Sequence, residues 1–152
     1  MTRIRGFEEV REEFKKHNEE TTLPKRGSSS SAGYDFYSKE TVTIKPGESH
    51  LFWTDVCSYM KKDEYLDINI RSSIGIKKEL MLKNITGIID ADYYANKSNY
   101  GNIGIALFNY GNEPQTIEEG ERIAQGIFKN YLISDNGNVD DIREGGIGST
   151  DK

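Results

Sequence analysis

The sequence predicts an all-β domain, and three features predict it. Apolar residues alternate with period two in short runs: Thr41-Val42-Thr43-Ile44, then Leu66, Ile68 and Ile70, then Ile103, Ile105 and Leu107. Turn chemistry punctuates these runs, as at Lys45-Pro46-Gly47-Glu48, where proline presets one dihedral and glycine takes the positive one. Helical spacing of apolar residues appears at the N-terminus alone. Many short strands with turns between them indicate a sandwich, a jelly roll or a barrel.

In chain order, Phe7, Val10 and Phe14 recur at three and four residues among Glu, Arg and Lys. That narrow stripe predicts a short amphipathic helix over residues 6–17, in an N-terminal extension (1–20) lying on the body. Residues 21–31 form a polar connector with Pro24, Gly27 and four consecutive serines, and predict a loop. Strands are predicted over residues 34–37, 41–44, 51–59, 65–70, 79–85, 86–89, 102–109 and 114–117. A last strand, 122–131, follows the turn Glu118-Glu119-Gly120-Glu121. From Ser134 the chain is polar, rich in glycine and without periodicity, which predicts a mobile C-terminal tail (134–152). No repeat interrupts the reading of residues 1–152 as a single domain.

The chain has 152 residues, 35% hydrophobic and 30% charged, which is long enough for one core but lean in apolar residues. A lean core hints that further apolar burial comes from oligomerisation. The net charge of −5 argues against a general nucleic-acid binder, which needs a basic surface to release counterions, but leaves room for a phosphorylated small molecule. Cys57 is the single cysteine, so no internal disulfide forms, and with His17 and His50 it makes no cluster of zinc-binding spacing. It is expected to be a small core residue. No apolar stretch approaches a membrane span and the N-terminus is charged, so a soluble cytoplasmic protein is expected.

Several segments carry chemistry. In Gly87-Ile88-Ile89-Asp90-Ala91-Asp92-Tyr93, an apolar strand runs into a carboxylate, then a second carboxylate, then an aromatic ring. A strand end is a rigid mount, so Asp90 suits a carboxylate that orients water, provided an electrophile sits opposite. An ordinary polar turn is the bland reading, and Asp90 with Asp92 as a direct metal site is a third. Arg71-Ser72-Ser73-Ile74-Gly75 offers a guanidinium fork, hydroxyls and backbone N–H groups, a cradle for phosphate oxygens or simply a polar strand end. Gly145-Gly146-Ile147-Gly148-Ser149-Thr150, preceded by Arg143, is a second candidate phosphate grip; without a Lys before Ser149 or a following helix, it is not a P-loop. Gly120-Glu121-Arg122-Ile123-Ala124-Gln125 places an amide on an apolar strand, where it needs partners if buried. Ala32-Gly33-Tyr34-Asp35 sets a carboxylate at a strand start.

Taken together and in this order, these five segments resemble the trimeric dUTPase family (deoxyuridine triphosphate nucleotidohydrolases). The resemblance spans nearly everything after the N-terminal extension. It implies a distorted jelly-roll subunit, a homotrimer with active sites shared between subunits, and Mg2+-dependent hydrolysis of dUTP to dUMP and pyrophosphate. Such a reaction keeps uracil out of DNA and supplies dUMP for thymidylate synthesis. By that likeness Asp90 orients the water for in-line attack on the α-phosphorus, and Tyr93 packs under the deoxyribose and excludes a 2′-hydroxyl. Asn84, the backbone around it including Gly87, and the backbone of the strand from Ile103 to Ile105 read uracil. Arg71, Ser72, Ser73 and Gln125 hold the phosphates, and the tail of a neighbouring subunit, with Arg143, Ile147, Gly148, Ser149 and Thr150, closes over the γ-phosphate. Asp35 acts on the metal indirectly, through water. The sequence departs from the family at Ile147, where an aromatic usually stacks on the base. It departs also at Tyr94-Ala95-Asn96-Lys97-Ser98-Asn99-Tyr100, which lengthens the loop after Tyr93 and is open to reading as a surface for a regulatory protein partner.

Two rivals frame the expectation. dCTP deaminase resembles the same fold and the Arg-Ser-Ser segment, but needs a catalytic glutamate where Ala106 stands, and alanine cannot shuttle a proton. The other is a non-enzymatic regulator that keeps the nucleotide site as a switch.

Overall fold

The computed structural model describes residues 2–136, 143, 145 and 146. Twelve strands appear among them: β1 (Gly6–Glu9), β2 (Lys25–Arg26), β3 (Tyr34–Tyr37), β4 (Val42–Ile44), β5 (Ser49–Trp53), β6 (Val56–Tyr59), β7 (Glu64–Ile70), β8 (Leu80–Leu82), β9 (Gly87–Asp90), β10 (Gly104–Asn109), β11 (Gln115–Ile117) and β12 (Arg122–Asn130). All pairings are antiparallel. The larger sheet runs β2-β3-β12-β7-β9, a three-stranded sheet runs β5-β10-β8, and β1-β6 and β4-β11 pair separately. The all-β jelly-roll-like expectation holds.

Alternation decides which side chains meet. Along β7, Leu66 and Ile68 are buried while Tyr65 and Asp67 are partly exposed. Along β10, Ile105, Leu107 and Asn109 turn inward. Phe36, Leu66, Ile68 and Ile123 from the large sheet join Phe52, Leu80, Ile105 and Leu107 from the three-stranded one in a single core cluster. Each fully buried side chain of this size contributes about 1.5–3 kcal/mol.

The N-terminal segment is a strand where the stripe predicted a helix. Residues 6–9 pair with β6, and helical structure in this extension is limited to one 3-10 turn, Glu12–Phe14. A helix there would bury one narrow stripe, and isolated helices of about a dozen residues are marginal. The strand instead gains a ladder and sends Phe7 among Tyr34, Phe36 and Phe128, with ring centroids 5.3, 5.7 and 5.4 Å away.

The strand predicted over residues 51–59 is divided into β5 and β6 at Thr54-Asp55, where Asp55 takes φ +58°. That left-handed residue is wholly buried, and its carboxylate accepts the backbone N–H groups of Lys16 and His17 (2.9 and 3.1 Å) and the Asn102 amide (2.9 Å). The predicted connector over 21–31 contains only β2 as regular structure.

One register sets the spacing of the candidate site residues. β9 pairs with β7 so that Asp90 stands opposite Tyr65, near the start of β7, whereas Arg71 follows Ile70 at its other end. Six residues of strand separate the two by about 20 Å.

Candidate active site

A pocket of about 480 Å3 opens between the segment joining β8 to β9 and the β5-β10 pair. Its floor comes from alternate residues of neighbouring strands: Leu51 and Trp53 on β5, with Phe52 between them turned into the core, and Ala106 on β10. Asn84, between β8 and β9, and Gly87, at the start of β9, form one wall, while Asp90, Tyr93, Arg143 and Gly146 surround the mouth. An apolar slot with a few convergent polar groups suits a flat small-molecule ring with a polar edge.

Asp90 ends β9 with its side chain 56% exposed, and Asp92 sits one residue into the following 3-10 turn. A single guanidinium spans both: Arg143 donates from Nη2 to Asp90 and from Nε to Asp92 at 2.9 Å. The Asp-x-Asp pair is thus spanned by a single arginine fork. Arg143 also lies over the Tyr93 ring, 5.9 Å from its centroid. Tyr93 is buried; its hydroxyl donates to the Asn102 carbonyl and accepts from Asn99 Nδ2 at 2.8 Å. Burial pushes this phenol above its ordinary value, so it stays protonated and acts as a wall.

A second cluster forms at the far end of β7. Arg71 Nε lies 3.1 Å from the buried Asp35 carboxylate, with Arg122 3.6 Å away on its other oxygen. Gln125 stands opposite Asp35 in the β12-β3 ladder. Gly33 is required there, since a Cβ at that position would sit 2.4 Å from the Gln125 Oε1. Arg71 Nη1 donates to Ser73 Oγ at 3.2 Å, and Ser72 is exposed beside them. Within one chain, then, Asn84, Gly87, Asp90, Tyr93 and Arg143 gather at the pocket, while Asp35, Arg71, Ser72, Ser73 and Gln125 gather at the far end of β7, with Arg71 about 20 Å from Asp90.

Ile103 joins neither group: its side chain is fully buried in the core. Its carbonyl accepts from Thr54 and its N–H donates to the Val56 carbonyl, so neither faces a ligand. Ile147, Gly148, Ser149 and Thr150 lie outside the described residues, as does most of the predicted tail. Leu51, Trp53 and Arg122 were missed as site residues; β5 alternation was the signal for the first two. Burial pushes the Cys57 thiol up to about 12, which suits a core residue and not a nucleophile.

Among the described residues no three His, Cys, Asp or Glu side chains converge to hold a metal ion. Asp35, already paired with two arginines, fits an outer role toward an ion carried by a ligand's own oxygens.

A family model described as dUTPase matches residues 19–150. A Lactococcus lactis protein named deoxyuridine 5′-triphosphate nucleotidohydrolase is 42% identical over 150 residues, covering 97% of this chain and 98% of its own. The crystal structure of a dUTPase from Streptococcus mutans superposes with a TM-score of 0.76 at 38% identity, covering 86% of this chain and 99% of that one. A dUTPase from phage phi11 of S. aureus, whose structure is described with a structural Mg(II) ion, shares the fold with a TM-score of 0.70 at 22% identity, over 91% of this chain and 98% of its own.

Proposed function

The chain belongs to the dUTPase family and is a dUTP nucleotidohydrolase, and from that premise we propose how its residues divide the work. Uracil enters the pocket and is read by Asn84 and the backbone that leads from it to Gly87. Tyr93 lies under the deoxyribose, where a 2′-hydroxyl would have no room. Asp90 orients a water molecule and takes its proton as the water oxygen bonds to the α-phosphorus. The bond to the oxygen bridging toward the β-phosphorus breaks in line, and pyrophosphate leaves with the electron pair.

Arg143 connects binding to chemistry. A triphosphate carries more charge than the two carboxylates that now hold this guanidinium, so it competes for the fork and frees Asp90. The remaining tail residues Ile147, Gly148, Ser149 and Thr150 follow Arg143 over the nucleotide. Asp35 would reach, through water, a Mg2+ ion held on the phosphates, and the ion would supply charge neutralisation there. Ala106 in the pocket floor offers no carboxyl group for deamination of a cytosine ring.

The phosphate-holding residues Arg71, Ser72, Ser73 and Gln125 cannot act on a nucleotide seated beside the Asp90 of their own chain. The observation that carries the proposal is the β7 register, which places Arg71 about 20 Å from Asp90. Arg71 of one subunit therefore serves Asp90 of another, in a homotrimer, the assembly the sequence resemblance implies. The cellular setting proposed is the cytoplasm, where the reaction limits uracil in DNA and provides dUMP.

The decisive experiment replaces Asp90 by Asn and assays dUTP beside the other common deoxynucleoside triphosphates. Loss of pyrophosphate release with retained dUTP binding is expected; a variant turning over at the normal rate removes Asp90 from the mechanism.

A further inference from the structure

We propose that the 94–100 loop and the N-terminal arm form one brace that sets the Tyr93 ring, and that Asn99 is the positioning residue through which this enzyme separates deoxyribose from ribose. The proposal rests on the reading of Tyr93 as the sugar wall.

The loop is built around two asparagines. Asn96 is buried, and its Oδ1 accepts from Ser98 N (3.0 Å), Ser98 Oγ (3.0 Å) and Asn99 N (3.1 Å). Its Nδ2 donates to the Tyr93 carbonyl and to Asn99 Oδ1, both at 2.8 Å. Asn99 Oδ1 also accepts from Gly101 N at 3.0 Å, which leaves Nδ2 to donate to the Tyr93 hydroxyl at 2.8 Å. The backbone is forced into this shape: Ala95, Tyr100 and Gly101 all have positive φ, at +57°, +59° and +83°. Left-handed non-glycine residues persist only where their surroundings over-determine them.

Those surroundings are the N-terminal arm. Tyr94 donates its hydroxyl to the Glu8 carboxylate, and Tyr100 stacks on Phe14 at 5.7 Å with the Arg11 guanidinium 5.0 Å from its ring centroid. The second fixed point of the Tyr93 hydroxyl leads to the same arm. It donates to the carbonyl of Asn102, whose side-chain amide donates to Asp55, the carboxylate that holds the N–H groups of Lys16 and His17. Both hydrogen bonds of one phenol are thus anchored, through separate routes, in residues 8–17.

A ring that must exclude one hydroxyl has to be held within a fraction of an ångström. The tail makes the same demand, because a Cβ at Gly146 would lie 3.1 Å from Tyr93 Cε1 and 3.2 Å from Asn99 Nδ2. Gly146 packs on the Tyr93–Asn99 pair itself.

Asn99→Asp isolates the positioning role. The carboxylate still accepts from Asn96 and Gly101, preserving the loop, but it has no N–H for the phenol and competes with the Asn102 carbonyl for its proton. The ratio of kcat/KM for dUTP over UTP is expected to fall by about tenfold or more, equivalent to one decade of discrimination, with the thermal midpoint near that of the unaltered enzyme. The preference for binding dUMP over UMP, measured by calorimetry, should fall in parallel. Should Asn99→Asp unfold, Asn99→Ala is measured in its place and must lose the same preference. An unchanged dUTP/UTP ratio together with an unchanged dUMP/UMP preference, in a folded variant, overturns the brace. The calorimetric arm needs no turnover, so failure of the hydrolytic mechanism is seen separately, as an unaltered enzyme that binds dUMP but does not release pyrophosphate from dUTP.

Discussion

Arg143 holds two carboxylates with one side chain that is itself only 12% exposed, and this fixes what its loss should do. Removing it frees Asp90 but also removes the charge that meets the phosphates. The second effect dominates, since a preorganised cation beside developing charge is worth about a hundredfold in rate. Arg143→Ala should lower kcat/KM for dUTP by about that factor, and Arg143→Lys should recover little, because an ammonium cannot span two partners as the planar fork does. Pyrophosphate release measures both; an alanine variant at full rate would make the arginine a structural tether. At this scale the positions of Asp90 and Arg71 were legible because the chemistry demands their types: a carboxylate at a strand end, an arginine with hydroxyls. Asn99, Asn102 and Arg122 were not. Asn102 acquires its role by meeting Asp55 across 47 residues, a contact that no local pattern encodes.

At the scale of elements, the N-terminal arm shows where pattern and structure part. Phe7, Val10 and Phe14 have helical spacing, yet Phe7 packs among three core rings, Val10 is buried beside Asp55, and Phe14 stacks on Tyr100. Three destinations on the body decided the matter, and none is visible in a stretch of chain read alone. The strands of the body were legible because one buried face leaves a period-two mark, as in β7 and β10. The arm's charges yield a prediction. Arg5 donates to both Glu64 oxygens, and Lys15 pairs with Glu9; each partner holds its carboxyl below the ordinary value of 4.5. Depressed carboxylates mean that the unfolded chain takes up protons first as pH falls. Their stabilisation is therefore complete above pH 4.5 and is lost as pH drops through the lower folded values. The thermal midpoint should fall in that acid window, and Glu64→Gln should reduce the slope there while leaving it unchanged near neutrality. A slope identical in the variant would assign the acid sensitivity to other carboxylates.

For the whole molecule, the surface and the sheet register point the same way. A chain only 35% hydrophobic still leaves Ile76 and Ile85 each 77% exposed and Ile88 60% exposed, apolar side chains that a partner subunit would cover. The register adds the functional reason, because Asp90 and Arg71 occupy opposite ends of β7. In a cyclic trimer whose sites each combine Asp90 of one subunit with Arg71 of the next, two crippled chains can repair each other. Asp90→Asn and Arg71→Ala, each nearly inactive alone, are co-expressed in equal amounts. Every mixed trimer then holds one site that draws Asp90 from one variant and Arg71 from the other, so roughly a quarter of all sites are intact under random assembly. Activity should rise from near zero toward that fraction. If both residues served the same chain's site, every site would carry one lesion and mixing would restore nothing.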